Sequence, residues 1–422
     1  MKLTRLLVIA AVLSLVAVAC GGAGGGGTPA ECEAEFGCVT VAAGEPIKLG
    51  TLLVITGENQ TLGLDSQHGA ELAVDYWGDE AFDGTVGQIK GHDVNLVHED
   101  DGCSAEGGTA GAQKLATDTS IVAVIGTSCS SAALGVADKI VGDLGIPLVS
   151  PSNTGPALTN PSTHNPFYLR TAHNDKLQGR VVADFAVGDL GAQTAATIHD
   201  GSPYAEGLAN AFAESFQELG GTITQQVAIQ TGESDYSSIL TDLATDEPDL
   251  LYFPIFVAEG GLIAQQARAN GSFEFLAGSD GMFTDDWIAA ACAENANGTY
   301  ISGPDLSALA GNADFDENEF LAAYNEAFGA PVSVFHAHAF DAVNMVLTAI
   351  EAVSIEDGDT LYIPRTALKD ALFATSDFPG LTGTLSCNAD GDCQQAATIG
   401  VVTVEDGAFT DYIFSETVGL EE

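Results

Sequence analysis

The sequence predicts an α/β protein built as two doubly wound parallel-sheet lobes, and three observations predict it. Short apolar runs alternate with helical patterns along the chain from Ile47 onward, the pattern of a parallel sheet covered on both faces. The alternation starts afresh after Phe167-Tyr-Leu-Arg170. At 422 residues, the chain is also too long for one ordinary core.

In the first series Ile47–Ile55 reads as a buried strand and Ser66–Trp77 as a helix, with Leu72, Ala73 and Tyr76 at apolar positions. Strand Val94–His98, helix Ala105–Ala116, strand Ile121–Ile125, helix Ala132–Val141 and strand Ile146–Val149 follow. The second series runs helix Lys176–Val187, strand Ala195–Ile198, helix Ala205–Leu219, strand Ile223–Ile229 and helix Tyr236–Leu243. It continues with strand Leu250–Phe253, helix Gly260–Ala269 and strand Phe273–Leu276, and reaches Thr299–Ser302. Helical stretches Glu317–Phe328, Ala337–Val353 and Arg365–Ala374 come next, then a cysteine-closed hairpin around Asn388-Ala-Asp-Gly-Asp392 and a strand, Ile399–Glu405. That Asp/Asn cluster lacks full calcium-ligand spacing and reads as a tight turn.

Ligands of such sheets sit at the carboxyl ends of the strands. This edge gathers Gly57–Gly63, Asp100–Cys103, Thr127–Ser131 and Ser150–Thr154 in the first series. In the second it gathers Asp200–Tyr204, Pro254–Glu259 and Gly278–Asp280. The most informative stretch is Gly126-Thr-Ser-Cys-Ser-Ser131, between an apolar strand and a helical pattern. A strand that breaks at glycine and enters a helix through hydroxyl residues offers backbone N–H groups and a helix dipole to an anion. Ser130 is placed to cap that helix. Cys129 has a partner in reach at Cys103, where the neighbouring strand ends. From these six residues alone, a carboxylate or phosphate site and a capped turn braced by a disulfide both remain open.

Composition narrows the partners. Twelve Lys+Arg against 59 Asp+Glu give a formal charge of −47, which argues against nucleic acid and anionic membrane surfaces. At the N-terminus, Lys2 and Arg5 precede an apolar Leu6–Val18 core and Ala17-Val-Ala-Cys20. Residues 1–19 thus read as a secretory signal. The cysteine after small residues resembles the bacterial lipobox, which implies lipidation at Cys20 and an extracytoplasmic protein anchored in the cell envelope by its lipid. Residues 20–46, rich in glycine, read as a tether reaching roughly 25–30 Å from the membrane. Proximity suggests the cysteine pairs Cys32–Cys38 and Cys387–Cys393 beside Cys103–Cys129, leaving Cys292 over.

With both edges in view, the sequence resembles the leucine/isoleucine/valine-binding proteins of bacterial ABC importers. The likeness runs from about Ile47 to Ser415 and rests on several stretches taken in order. They are Ile47-Lys-Leu-Gly, Asp100-Asp101 with Cys103, Ser128-Cys-Ser-Ser131, Ser150-Pro-Ser-Asn-Thr154, Tyr204-Ala-Glu-Gly207, Gln266-Ala-Arg268 and Phe340-Asp-Ala-Val343. The resemblance implies a type I periplasmic-binding fold with lobe 1 at 47–171 and 302–376, lobe 2 at 172–301 and 377–422, and three hinge crossovers near 171, 302 and 377. It implies a small amino acid as ligand and a membrane permease as partner. Ser130, beside Ser131, and Thr154 would grip the ligand carboxylate, Asp280 its ammonium, and Tyr204 would line the cleft. The Cys103–Cys129 disulfide, Phe256, Phe340 and Leu62 would border the side-chain pocket. Leu62 stands where the family often has an aromatic residue, and Asp280 is shorter than the usual glutamate.

An enzyme needs a nucleophile with a base, a metal cluster or a cofactor loop. Ser130 lacks a Gly-X-Ser-X-Gly elbow, and His336 and His338, two apart on a helix, point to different faces. Neither a cofactor nor a metal is expected. A hydrolase or a receptor ectodomain is thus the weaker reading, and an amide, urea or organic acid stays open as ligand.

Overall fold

The computed structural model describes residues 28–78, 82–136, 142–309 and 317–420. Residues 1–27, on which the expected signal and Cys20 fall, and residues 137–141 of the expected Ala132–Val141 helix lie outside the described residues.

The first strand among the described residues is β1 (Cys38–Val41). Strands β2 (Ile47–Leu53), β3 (Gln88–Ile89), β4 (His92–Asp100), β5 (Ile121–Gly126), β6 (Leu148–Ser150) and β7 (Tyr168–Arg170) make the first sheet. Its order is β3-β4-β2-β5-β6-β7, parallel except for the β3 hairpin. Leu49 of β2 is in register with Leu96 of β4 and Ala123 of β5. Every residue of β5 is buried, as a strand covered on both faces requires. Leu49 packs on one face with α1 (Gln60–Tyr76) and the His336–Val353 helix, and Leu52 packs on the other with α2 (Ala105–Ala116) and α3 (Ser130–Val136). The chain is wound on both sides of the sheet.

The second sheet holds β8 (Thr194–His199), β9 (Thr222–Ala228), β10 (Leu250–Tyr252), β11 (Phe275–Gly278) and β12 (Thr299–Pro304), in parallel order β12-β11-β10-β8-β9. Its core gathers Phe212, Phe216, Tyr252, Ile263 and Trp287. Of the later strands, β13 (Ile355–Asp357) and β14 (Thr360–Pro364) pair with each other, as do β15 (Phe378–Gly380) and β16 (Gly383–Leu385). Strand β17 (Ala396–Glu405) joins β12 antiparallel and carries β18 (Ala408–Phe409) and β19 (Phe414–Gly419).

Three features differ from expectation. The tether reading fails beyond Pro29: Ala30–Glu33 forms a helical turn, Cys32 is bonded to Cys38, and β1 pairs antiparallel with β14. Phe36 stacks edge-on against Phe167, which fixes the segment to lobe 1. Helix α1 begins at Gln60, six residues before the expected Ser66. Gly63 is a close approach and not a turn, since a Cβ there would lie 1.9 Å from the Val54 carbonyl oxygen. The third crossover falls near 394–396 and not near 377. Leu381 and Cys393 pack into the lobe 1 core, and the buried Asp341 carboxylate accepts from the N–H groups of Leu381 and Thr382.

The hairpin of 388–392 is a tight turn. Asn388 Oδ1 accepts from the N–H groups of Asp390 and Asp392, Cys387 and Cys393 are bonded, and the Asp392 carboxylate turns inward onto Arg170. Cys292 is free and exposed.

Candidate ligand-binding site

The carboxyl-edge loops of lobe 1 are held by one another. Asp101 is fully buried and accepts from Cys103 N at 2.7 Å and Ser128 N at 2.6 Å. Burial pushes its carboxyl up to about 7. The Ser128 hydroxyl accepts from Val54 N at 3.0 Å, and the Ser150 hydroxyl donates to the Thr127 carbonyl at 2.8 Å. The Cys103–Cys129 disulfide crosses the same loops. Replacing both cysteines by alanine should lower stability by about 2–4 kcal/mol. An unchanged urea midpoint for Cys103→Ala/Cys129→Ala would contradict this bracing role.

The frame presents Ser130 and Thr154 side by side. Ser130 is 2% exposed, and its hydroxyl accepts from Gly155 N at 3.2 Å. The Thr154 hydroxyl is buried and makes no hydrogen bond of normal geometry; it lies near enough to the Asp175 carboxylate to favour its charged form, and can turn to a ligand acceptor. Ser131 is spent on the Cys103 carbonyl at 3.2 Å and braces the disulfide loop.

Lobe 2 presents the opposite polarity. The Tyr204 hydroxyl lies 2.7 Å from Ser279 Oγ and donates to Asp280 Oδ1 at 3.0 Å. Gln178 Nε2 donates to the same Asp280 oxygen at 2.8 Å and to Ser302 Oγ at 3.0 Å. Gln178 Oε1 lies 2.6 Å from His173 Nε2, which assigns that ring proton to Nε2 and leaves Nδ1 an acceptor. Burial pulls His173 down to about 4, so its ring is neutral. Burial pushes the Asp280 carboxyl up, against the hydrogen bonds from Gln178 and Tyr204.

The apolar wall is formed by Val54, Leu62, Cys129, Ala172, Val334 and Phe335, with Phe256 and Phe283 packed against it. The Tyr204 and Phe256 rings meet at 5.1 Å. Phe340 is elsewhere: its ring lies in the lobe 1 core, 5.0 Å from Phe320 and 5.5 Å from Tyr76. Phe335, immediately before the His336–Val353 helix, is the aromatic that packs with Leu62 and Val54 and stacks 6.3 Å from the His173 ring, whereas Phe340 lies more than one turn into the helix. The signal available in the sequence was the apolar pair Val334-Phe335 directly before that helix. The structure brings Ser130, Thr154, Tyr204, Asp280, Leu62 and Phe256 to the facing edges of the lobes. It adds His173, Asp175 and Gln178, which the sequence hides inside an ordinary helix start capped by Asn174.

The two lobes are in contact. The Thr284 hydroxyl donates to Thr61 Oγ1 at 3.4 Å. A narrow crevice is walled by Asn59, Thr61 and Leu62 on one side and Phe256, Asp280 and Thr284 on the other.

Hydroxyl groups on one wall, an acid on the other and an apolar flank suit a zwitterion with a hydrocarbon side chain. The family described as periplasmic binding protein matches residues 46–408. The Leu/Ile/Val-binding protein of Escherichia coli is 30% identical over 273 residues, covering 64% of this chain and 71% of that one. The chain belongs to the Leu/Ile/Val-binding family of periplasmic binding proteins. Leu/Ile/Val-binding protein homolog 3 of Brucella melitensis is 29% identical over 351 residues, covering 83% of this chain and 89% of that one. Among solved structures, a leucine-binding protein from Thermotoga maritima superposes with a TM-score of 0.75 at 25% identity, covering 87% of this chain and 98% of its own. A branched-chain amino acid transporter substrate-binding protein from Streptococcus pneumoniae, in complex with isoleucine, gives 0.74 at 26% identity, covering 89% and 100%. The fold is the type I periplasmic-binding fold. As a member of this family the chain is an extracytoplasmic solute-binding protein and not an enzyme. No helix among the described residues is long and apolar enough to cross a membrane.

Proposed function

We propose that this binding protein carries a branched-chain or similar small amino acid in its interlobe cleft and delivers it to an ABC permease. In this reading Cys20 holds the protein to the membrane by a lipid. The observation that carries the ligand assignment is the opposition of Ser130 and Thr154 on lobe 1 to Asp280 and Tyr204 on lobe 2, about an apolar wall of Leu62, Phe335 and Phe256. The hydroxyls take the carboxylate, Asp280 takes the ammonium and the wall takes the hydrocarbon. An organic acid without an ammonium would meet the Asp280 carboxylate uncompensated. Arg170, whose charge reaches Asp175, is committed to Asp392.

Closure requires contacts made only when the lobes meet, and a ligand that touches both walls supplies them. Titration calorimetry of the full chain with leucine, isoleucine and valine tests the reading. Saturable binding is expected, with Asp280→Ala losing a charge-assisted contact of about 1.5–3 kcal/mol. That is roughly a 10- to 150-fold rise in Kd. Unchanged affinity in Asp280→Ala would remove Asp280 from the site, and no binding of any of the three would overturn the ligand class.

A further inference from the structure

Asp175 opens the Asp175–Gly188 helix where the chain has just crossed into lobe 2. It is wholly buried, and its N–H donates to the Thr154 carbonyl at 3.0 Å, which pins it beside the residue assigned to the ligand carboxylate. Neither of its carboxylate oxygens accepts a hydrogen bond of normal geometry, and the nearest hydroxyl is that of Thr154. His173, Asp175 and Asp280 each offer one atom to a cluster in which all three lie within 4.8 Å of one another.

The groups around this cluster do not balance it. From β7, Arg170 gives its guanidinium to Asp392, to Thr159 Oγ1 and to the carbonyls of Asn153 and Gly155. Gln178, one turn along the same helix, is committed to Asp280, Ser302 and His173. Tyr204 donates to Asp280. Tyr252 of β10 has a buried, unpartnered hydroxyl, and His173 Nδ1 is likewise unpartnered. Burial and then the charge of Asp280 push the Asp175 carboxyl well above the usual carboxylate range, with the Thr154 hydroxyl and Arg170 working against them. Two buried carboxylates this close do not both ionise without a cation between them.

We propose that Asp175 is a second ligand-contacting acid, and that Asp175 and Asp280 together form the socket for the ligand's ammonium. The empty pair holds one proton, with a net charge of −1. As the ammonium enters, that proton leaves to water while the ligand keeps its own three, and two carboxylates with one ammonium again carry −1. This rests on the zwitterion reading above.

Calorimetry with leucine as the probe, in buffers of different ionisation enthalpy between pH 6 and 8, counts the protons. The wild type should release up to one. Asp175→Asn should release almost none at pH 8, where Asp280 alone is ionised, and bind about 10-fold more weakly or worse. Equal proton counts and equal affinities in the two proteins would overturn the proposal. A second measurement needs no ligand. An acid held protonated by the fold makes the native state bind more protons than the unfolded one, so stability falls as pH rises. The wild-type melting temperature should therefore drop more steeply between pH 5 and 8 than that of Asp175→Asn. Parallel profiles would overturn the paired acids. A melting temperature lowered by EDTA would give the pair to a metal ion and overturn the ammonium socket. A wild type that binds none of the three amino acids defeats the amino-acid reading, while the melting profiles still decide the acid pair.

Discussion

Arg170→Met should destabilise the protein by about 3–5 kcal/mol, the range for removing one partner of a buried ion pair and stranding the other. Arg170 is fully buried, and its Nε donates to Asp392 Oδ1 at 2.5 Å. The backbone completes the joint: Arg170 N donates to the Gly391 carbonyl at 2.9 Å, and Cys393 N donates to the Arg170 carbonyl at 3.1 Å. Arg170 ends the last strand of the first sheet, and Asp392 lies just before the chain returns to lobe 2. The pair therefore ties the first crossover to the third. Methionine fills much of the volume but leaves the Asp392 charge without its cation and the Asn153 and Gly155 carbonyls without their donor. Adding Asp392→Leu to Arg170→Met should recover a large share of the loss, because replacing both partners by apolar groups removes the stranded charge. Urea unfolding of the three proteins measures this. A single variant within 0.5 kcal/mol of the wild type would show that the pair contributes little.

What the sequence made legible was local. The run Ile121–Ile125 is apolar at every position, so its burial on both faces could be read directly, and Gly126–Ser131 announced its turn by composition. The cysteine pairs lay close in sequence or at adjacent strand ends, and all three are formed. What escaped depends on partners far away in the chain. Strand β1 is only four residues long in a glycine-rich neighbourhood, and it pairs with residues 361–364. Residues 378–393 stay with lobe 1 because the Asp341 carboxylate holds Leu381 and Thr382, and no periodicity encodes that contact. Phe335 and Phe340 are both aromatic residues beside one helix start, and only the phase of the helix separates cleft from core. Asp175 looks like an ordinary acid in a first helical turn. Its burial is decided by the lobe packed above it.

Asp65→Ala should cost about 3 kcal/mol or more and weaken leucine binding as well, because one carboxylate holds the loop that carries the apolar wall. Asp65 is fully buried in α1. Its Oδ2 accepts from Phe335 N at 2.9 Å, His336 N at 2.8 Å and His336 Nδ1 at 3.0 Å. Its Oδ1 accepts from Val332 N at 3.2 Å, Ser333 N at 3.3 Å and the Tyr324 hydroxyl at 3.2 Å. Hydrogen bonds to a charged group contribute about 1.5–3 kcal/mol each in mutational series, though not additively. Alanine would leave several backbone N–H groups without an acceptor at the start of the His336–Val353 helix, where no intrahelical carbonyl is available. Burial pushes the Asp65 carboxyl up, but the attraction of His336 and the hydrogen bonds from it, Phe335 and Ser333 prevail and hold it below the usual carboxylate range. A depressed folded-state pKa contributes stability that is present above the unfolded value near 4 and is lost as pH falls through the folded one. The gap between wild type and Asp65→Ala should accordingly be full at pH 7 and narrow below about pH 4. The loop of 332–335 places Val334 and Phe335 against Leu62, so loosening it should raise the Kd for leucine even where the variant remains folded. Urea midpoints at pH 7 and at pH 3.5, with calorimetry at pH 7, separate the two effects. A variant with wild-type midpoint and wild-type affinity would show that the loop is held without Asp65.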